Sequence, residues 1–294
     1  MAPELAAHTV APYLIGRGLL PPGAASVEKL GGGVSSRVFL VSSNRRRLIV
    51  KQPLPRFRVR DEWLVDTDRI GVEANFLRHI GSRLPSGSLP EFVSYDEPEQ
   101  VLVVTAAAPN FRPWKAALLS GDADPRLAHA AGQLLAKIHR IGSEEPSLRA
   151  TFDQSRLFDQ QRIDPYLGTL LMRHPTRADA LRKVIAHLET DRTTLIHGDF
   201  SPKNILTDKR ALLLVDHEVA TWNDPVFDVS FFLNHLLLKF AHTKASEAIA
   251  ECVHSFLGAY ASAAPTVARE RLQQPSHLLP SLMLARVDGK SPVE

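Results

Sequence analysis

Two short apolar runs, each delivering an acidic residue, constrain this chain more than any other feature. Leu195-Ile196 leads into His197 and Asp199, Asn204 follows Asp199 by five positions, and Ala211-Leu212-Leu213-Leu214-Val215 ends abruptly in Asp216. Short apolar runs bounded by polar turns read as buried strands. The pattern therefore sets two carboxylates and an amide oxygen at the ends of two strands, with Pro202 stiffening the turn between them. A polar hairpin in which Asp199 caps a turn would also account for residues 195–206. The spacing H-x-D-x-x-x-x-N favours chemistry over that bland account. A carboxylate on a turn can meet an incoming hydroxyl and accept its proton. An Asn/Asp pair suits hard Mg²⁺, which prefers oxygen ligands and keeps several waters. Together these are the groups that phosphoryl transfer requires.

Composition sets broad limits. The 294 residues are 44% hydrophobic and 23% charged, enough for one large domain or two lobes. The 35 basic and 32 acidic residues nearly cancel, leaving +3, so charge gives no reason to expect a nucleic-acid partner. The one tight basic run, Arg45-Arg46-Arg47, reads as a hairpin tip. The single cysteine, Cys252, excludes an internal disulfide and a cysteine-based metal site, and falls in an amphipathic helix pattern as a core residue. No signal-peptide pattern and no membrane-length apolar run is present, so a cytoplasmic location with no membrane partner is the expectation. The oligomeric state is unknown from sequence. Residues 285–294 end without a clear terminating element, as a truncated chain would.

Residues 10–20 predict a short leading helix closed by Gly16 and Gly18. Strands are predicted at Val27 to Leu30, Val38 to Val41, Leu48 to Lys51, Phe92 to Tyr95 and Val101 to Thr105, interrupted by one helix from about Arg69 to Ile80. Beyond Thr105 three helices share apolar spacing of 0, 3, 4, 7, 8 and 11, starting at Leu127, Val229 and Ile249, and their stripes read as core. Ala106-Ala107-Ala108-Pro109-Asn110 is the natural boundary. The division expected is an N-terminal nucleotide-binding lobe over 1–105 and a C-terminal lobe over 106–294 holding the catalytic loop, metal site and acceptor pocket.

The first part also supplies candidates for a nucleotide. Gly31-Gly32-Gly33-Val34-Ser35-Ser36 is a glycine-rich turn between two strands, where glycines let backbone amides approach phosphate oxygens. It is neither a P-loop nor a dinucleotide fingerprint. Lys51 closes the next strand, eighteen residues after Gly33, and could reach the α- and β-phosphates; Glu73 in the following helix could orient it. Alone, the triple glycine is a hairpin turn, Lys51 a solvated strand end and Glu73 an exposed helix residue, with Glu62, Asp66 and Asp68 as competing carboxylates. The joint order is the stronger signal: glycine turn, strand lysine, helix glutamate, base loop, then Asp216.

In these motifs the chain resembles the aminoglycoside phosphotransferase/choline kinase family, over nearly its whole length. His197-Gly198-Asp199 through Asn204 looks like that family's catalytic loop, and Val215-Asp216-His217-Glu218 like its metal-binding segment. Asn223-Asp224-Pro225-Val226-Phe227-Asp228 is similar to its G-D-P-x-x-D segment, with Asn223 for the usual Gly. The resemblance implies an α+β, protein-kinase-like two-lobe fold: a small antiparallel-sheet N-lobe with one helix and a mainly helical C-lobe. It implies an ATP- and Mg²⁺-dependent phosphotransferase with Asp199 as base, Asn204 and Asp216 as metal ligands and Lys51 as phosphate contact. Gly31, Gly32, Gly33, Ser35, Ser36 and Glu73 complete the nucleotide site. It implies that Asp224 and Asp228 cap and brace the helix from Val229, that His197 orients the loop, and that backbone groups near Ala106–Ala108 hold adenine.

The segment Lys51 to Arg56 and the leading helix look more like the methylthioribose-kinase-like and uncharacterised small-molecule branch. The acceptor implied is a hydroxyl of a small metabolite: a sugar, thiosugar, amino alcohol or aminoglycoside-like compound. Residues beyond Val229 are rich in His and Arg, with scattered acids Glu247, Glu251 and Glu270, which argues against a polycationic acceptor. Trp114, Trp222 and Phe231 read as core. Two other classes stay open: a metal-dependent hydrolase using His197, Asp199, Asp216, His217 and Glu218, and a non-catalytic nucleotide-binding scaffold. The segment from Asp216 to Asp228 is too short for an activation loop, against a protein substrate.

Overall fold

The structure, a computed structural model, describes residues 4–31, 33–44, 46–273 and 276–291. Gly32 and Arg45, both singled out in the sequence, lie outside the described residues. The chain opens with helix α1 (Ala7–Gly16), then strands β1 (Ser26–Lys29), β2 (Ser36–Ser42) and β3 (Arg47–Pro53), helix α2 (Arg69–Ile80), and strands β4 (Phe92–Asp96) and β5 (Val101–Thr105). The five strands form one antiparallel sheet in the order β1-β2-β3-β5-β4. Successive strand side chains face opposite sides. Phe39, Val41, Leu48 and Val50 therefore pack with Val10 and Leu14 of α1 on one face. Ile49 and Lys51 turn to the other face, where Leu102 and Val104 pack against Ile70, Ala74, Leu77 and Ile80 of α2. That alternation is what aims Lys51 at α2.

Beyond Thr105 the chain is mainly helical. β6 (Arg112–Pro113) and α3 (Trp114–Leu119) lead to the long α4 (Pro125–Glu144). The segment 145–190 carries α5 (Arg149–Phe152), α6 (Ser155–Phe158), a π-helical stretch (Asp159–Gly168), α7 (Thr169–Arg173) and α8 (Ala178–Thr190). Four short strands follow, β7 (Thr194–Ile196), β8 (Ile205–Thr207), β9 (Leu212–Leu214) and β10 (Thr221–Asn223), then α9 (Val226–His242), α10 (Ser246–Ala263), α11 (Thr266–Leu272) and α12 (Leu278–Asp288). β7 pairs with β10, and β9 with β8, so the two apolar runs of the sequence are short strands of two separate small sheets. No helix among the described residues is long and apolar enough to cross a membrane.

Two elements differ from the sequence expectation. The apolar stripe of α9 leaves the core at its last turn, where Phe240 is 43% exposed while Lys239 is buried. The reason is a cavity bordering that turn: Leu238, Lys239 and His242 face it, and Phe240 points away. The second is the segment from 285, which carries the last turn of α12. α12 runs to Asp288, Gly289 donates its N–H to Ala285 O at 2.8 Å, and Lys290 donates to Pro165 O at 3.0 Å.

α4 packs directly on β7, and Gly142 makes the approach possible. A Cβ there would fall 2.8 Å from Leu195 Cβ and closer still to Thr194 Oγ1 and the Leu195 nitrogen. Gly142→Ala would push β7, and with it the 197–204 loop, off its seat. The expected cost is about 1–3 kcal/mol of stability, the usual range for overpacking, read as a lowered denaturation midpoint in urea with an unchanged m-value.

Candidate active site

The site begins with Lys51. Its Nζ donates to Glu73 Oε1 at 2.7 Å and Oε2 at 3.0 Å, and to Asp216 Oδ1 at 3.0 Å. Glu73, read from sequence as a possible partner, is the carboxylate of α2 that faces β3; it is 3% exposed. Burial alone would lower the Lys51 pKa, but Asp216 and Glu73 overcome this and hold it protonated. Burial likewise opposes ionisation of Asp216, and Lys51 and Lys203 reverse it, keeping that carboxyl well below the usual range. Glu73 goes the other way, its pKa raised by burial against the pull of Lys51. Asp216 has φ +70, in the left-handed region that Asp tolerates better than most residues. That turn of the backbone ends the run after β9 and presents the carboxylate to Lys51.

The loop after β7 is held from several sides. Asp199 Oδ2 accepts from Asn204 Nδ2 at 2.8 Å, and Oδ1 pairs with Arg162 Nη2 at 2.7 Å. Arg162 also donates to Gly198 O at 2.7 Å and Gln161 O at 2.7 Å, so it fixes both the carboxylate and the backbone beside it. Gly198 sits at φ +74, and a Cβ there would meet Val219 O at 2.5 Å. His197 Nδ1 accepts the Asp199 N–H at 3.2 Å, which orients the loop and leaves the proton on Nε2. Burial and then His217 push the His197 pKa down to about 4, so it is neutral at physiological pH.

Asp228 corrects its sequence reading. It does not brace a helix from Val229. It lies in the first turn of α9 and accepts the N–H of His197 at 2.6 Å and of Gly198 at 2.8 Å, so it holds the loop. Asp224 does the capping, accepting the Val226 N–H at 2.8 Å.

A second buried pair lies beside the first. Arg69, fully buried, donates through Nε to Glu218 Oε2 at 3.2 Å and through its other nitrogens to the carbonyls of Ser35, Leu54, Val65 and Asp66. Glu218 thus has a structural partner, and its pKa is raised by burial against Arg69. Oxygens of Glu73, Asp216 and Glu218 come within 4.8 Å of one another, close enough for one cation. The Asn204 Oδ1 is a further oxygen donor, since its Nδ2 is the atom spent on Asp199.

The other sequence candidates are distributed unevenly. Ser35 lines the same cavity as Asp199 and Asp216. Ser36 is buried within β2, opposite Pro53, with its hydroxyl unpartnered among the described residues. Gly31 and Gly33 lie in the turn from β1 to β2, Gly31 exposed and Gly33 half-buried. At the proposed hinge, Ala106 donates its N–H to Arg47 O at 3.0 Å and Ala107 O accepts from Arg47 Nη1 at 2.8 Å, so those two backbone groups are already engaged. The hydrolase alternative fails on His217. Its ring is fully buried and stacks on Phe76 at 4.5 Å, off the cavity. With His197 turned into its own loop, neither imidazole lines the cavity.

Sequence reasoning missed Arg162, Arg69 and Lys203. Arg69 stands one helical turn before Glu73, a spacing that could have been noticed. Lys203 lies in the loop itself, on the cavity, and is held protonated by Asp199 and Asp216 against its burial. Arg162 had no signal, because the π-helical stretch that carries it has no 3.6-residue apolar period.

Against known proteins, a family model described as "Phosphotransferase enzyme family" (APH) matches residues 26–271. The methylthioribose kinase of Escherichia coli O45:K1 (strain S88 / ExPEC) is 26% identical over 242 residues, covering 73% of this chain and 58% of its own. That of Bacillus cereus (strain G9842) is 25% identical over 238 residues, covering 72% of this chain and 60% of its own. The chain therefore spans less than two thirds of the length of these curated relatives. Among solved structures, an aminoglycoside-3'-phosphotransferase of type VIII has a TM-score of 0.58 at 21% identity, over 95% of this chain and 97% of that one. A choline/ethanolamine kinase family protein from Mesorhizobium loti has a TM-score of 0.54 at 18% identity, over 86% and 76%. Both show the same protein-kinase-like α+β fold.

Proposed function

The chain belongs to the APH phosphotransferase family, and on that premise we propose that it transfers the terminal phosphoryl group of ATP to a hydroxyl of a small metabolite, with Mg²⁺. The observation that carries this reading is that Asp199, held by Asn204 and Arg162, and Asp216, held by Lys51, line one cavity. In this reading residues 1–105 form the nucleotide-binding lobe and 106–294 the lobe that brings base, metal ligands and acceptor together. ATP and Mg²⁺ as partners go with action in the cytoplasm.

Asp199 positions the acceptor hydroxyl and takes its proton as the oxygen attacks the terminal phosphorus and the bond to ADP breaks. Phosphoryl transfer passes through a loose transition state, so this placement matters more than base strength. That fits a carboxylate paired with Arg162. Lys51, aimed by Glu73, donates to phosphate oxygens. Asp216 and Asn204 Oδ1, with Glu218 adjacent, form an all-oxygen donor set suited to a hard cation, and Mg²⁺ bound there would offset phosphate charge.

Lys51→Met is expected to lower kcat/KM for ATP about 10²–10³-fold, the range for losing one preorganised charge contact. Steady-state kinetics with a melting curve as folding control checks it. The reading itself is tested by ADP release from Mg²⁺ and ATP across sugars, thiosugars, amino alcohols and hydroxy acids. A chain that neither turns over nor is stabilised by ATP in a Mg²⁺-dependent way would sink it.

A further inference from the structure

The cavity beside Asp199 is unusually basic away from the catalytic residues. It has a volume of about 860 Å³, in the range of small-molecule sites. Its acidic lining residues are Asp199, Asp216 and Glu218, which belong to the site above, and Asp61, which pairs with Arg173 at 3.2 Å. The wall formed by α3, α9 and α12 contributes Lys115, His235, Lys239 and Arg286 and no carboxylate.

Two of these groups are costly as they stand. Lys239 is 6% exposed; its Nζ donates to His235 O at 3.1 Å, and among the described residues it makes no ion pair. Burial, then the Lys115 and Arg286 charges, push its pKa down to about 8. Arg286 gives Nη1 to Ser291 Oγ at 2.6 Å, but its Nε is buried with no acceptor among the described residues. His235 between them is driven well below its ordinary pKa by burial and by Arg286 and Lys239, with Lys203 and Arg162 adding to the effect. A buried ammonium such as that of Lys239, with no ion pair among the described residues, is unfavourable unless an anion completes it. The nucleotide is not the natural candidate for this wall, because neither Lys51 nor any of residues 101–110 borders the cavity.

We propose that the acceptor is itself an anion: a hydroxylated metabolite whose carboxylate or phosphate docks on Lys239 and Arg286 while its hydroxyl reaches Asp199. This rests on the phosphotransferase reading, and it separates the chain from enzymes that phosphorylate neutral thiosugars or polycationic aminoglycosides.

The test uses the whole chain with saturating Mg²⁺ and AMP-PNP, so that the nucleotide position is filled. D-Glycerate, glycerol 3-phosphate, glycerol and ethanolamine are then titrated by calorimetry against wild type, Lys239→Met and Arg286→Met. One or both anions should bind at least tenfold more tightly than glycerol or ethanolamine, and the preferred anion tells carboxylate from phosphate. Each substitution should weaken that anion about 10- to 100-fold, the value of one charge-assisted contact, with AMP-PNP affinity unchanged. Lys239→Met without ligand should melt no lower than wild type, since it removes an uncompensated buried charge. Failure of both anions to bind, glycerol or ethanolamine binding as tightly, or anion binding indifferent to both substitutions would overturn the proposal. If AMP-PNP fails to bind in a Mg²⁺-dependent way, the phosphotransferase reading fails instead, and the anion titrations without nucleotide still decide the pocket.

Discussion

Replacing Asp199 with asparagine is expected to cut phosphoryl transfer about 10²–10⁴-fold, the span attributed to a positioned general base, while Mg²⁺–ATP binding stays within a few-fold of wild type. The substitution is nearly isosteric. Its carbonyl oxygen can still accept from Asn204 Nδ2, which lies 2.8 Å from Asp199 Oδ2, and Lys51, Glu73 and Asp216 form a separate cluster. What is lost is the group that takes the hydroxyl proton, together with the charge facing Arg162 at 2.7 Å. Arg162 keeps its bonds to Gly198 O and Gln161 O, so the loop should hold its course. Losing the charge-assisted contact should cost about 1.5–3 kcal/mol of stability, visible as a lower melting temperature. Single-turnover measurement of ADP formation with the acceptor present separates the two effects. A variant that retained turnover within threefold would remove Asp199 from the role of base.

Much of this architecture was legible because it depends on local pattern. Leu48-Ile49-Val50-Lys51 alternates faces across β3, so the sequence alone places Lys51 on one side of a strand, and the helix from Arg69 to Ile80 has the bounds its apolar spacing predicts. The two apolar runs before Asp199 and Asp216 are strands because nothing polar interrupts them. What was not legible depends on long-range contact. Arg162 reaches Asp199 across 37 positions from a π-helical stretch, where apolar periodicity is not that of an α-helix. The partner of Glu218 is Arg69, 149 residues away, which no spacing rule connects. The basic wall joins α3, α9 and α12, three elements whose Lys115, Lys239 and Arg286 look like ordinary surface charges until packing brings them to one cavity. The resemblance implies that Asp228 caps and braces a helix, and its bonds to the His197 and Gly198 N–H groups are not legible because backbone donors of a distant loop leave no mark in a sequence.

That work makes Asp228→Ala the substitution with the largest expected effect on stability. The side chain is fully buried; it accepts the N–H of His197 at 2.6 Å and of Gly198 at 2.8 Å, and its Oδ2 lies 3.1 Å from His139 Nε2. His139 in turn meets the Tyr260 hydroxyl at 2.7 Å through Nδ1, so four elements meet at one carboxylate: β7's loop, α4, α9 and α10. Alanine would orphan two backbone donors and the imidazole at a fully buried position. Each such loss costs about 1–3 kcal/mol, and because the groups share one partner the sum is less than additive, giving about 3–5 kcal/mol. Asparagine should rescue only part of this. It supplies one acceptor oxygen where two N–H groups need one each, and turns an NH₂ toward the other. Tyr260→Phe, which removes only the outermost hydroxyl of the chain of bonds, should cost about 1 kcal/mol. Urea denaturation of the three variants gives the ranking. Activity adds a second constraint: Asp228→Ala should lose turnover well below its melting temperature, because the loop that carries Asp199 is anchored at the residues just before it. Full activity in a folded Asp228→Ala protein would mean that Arg162 alone sets the position of Asp199.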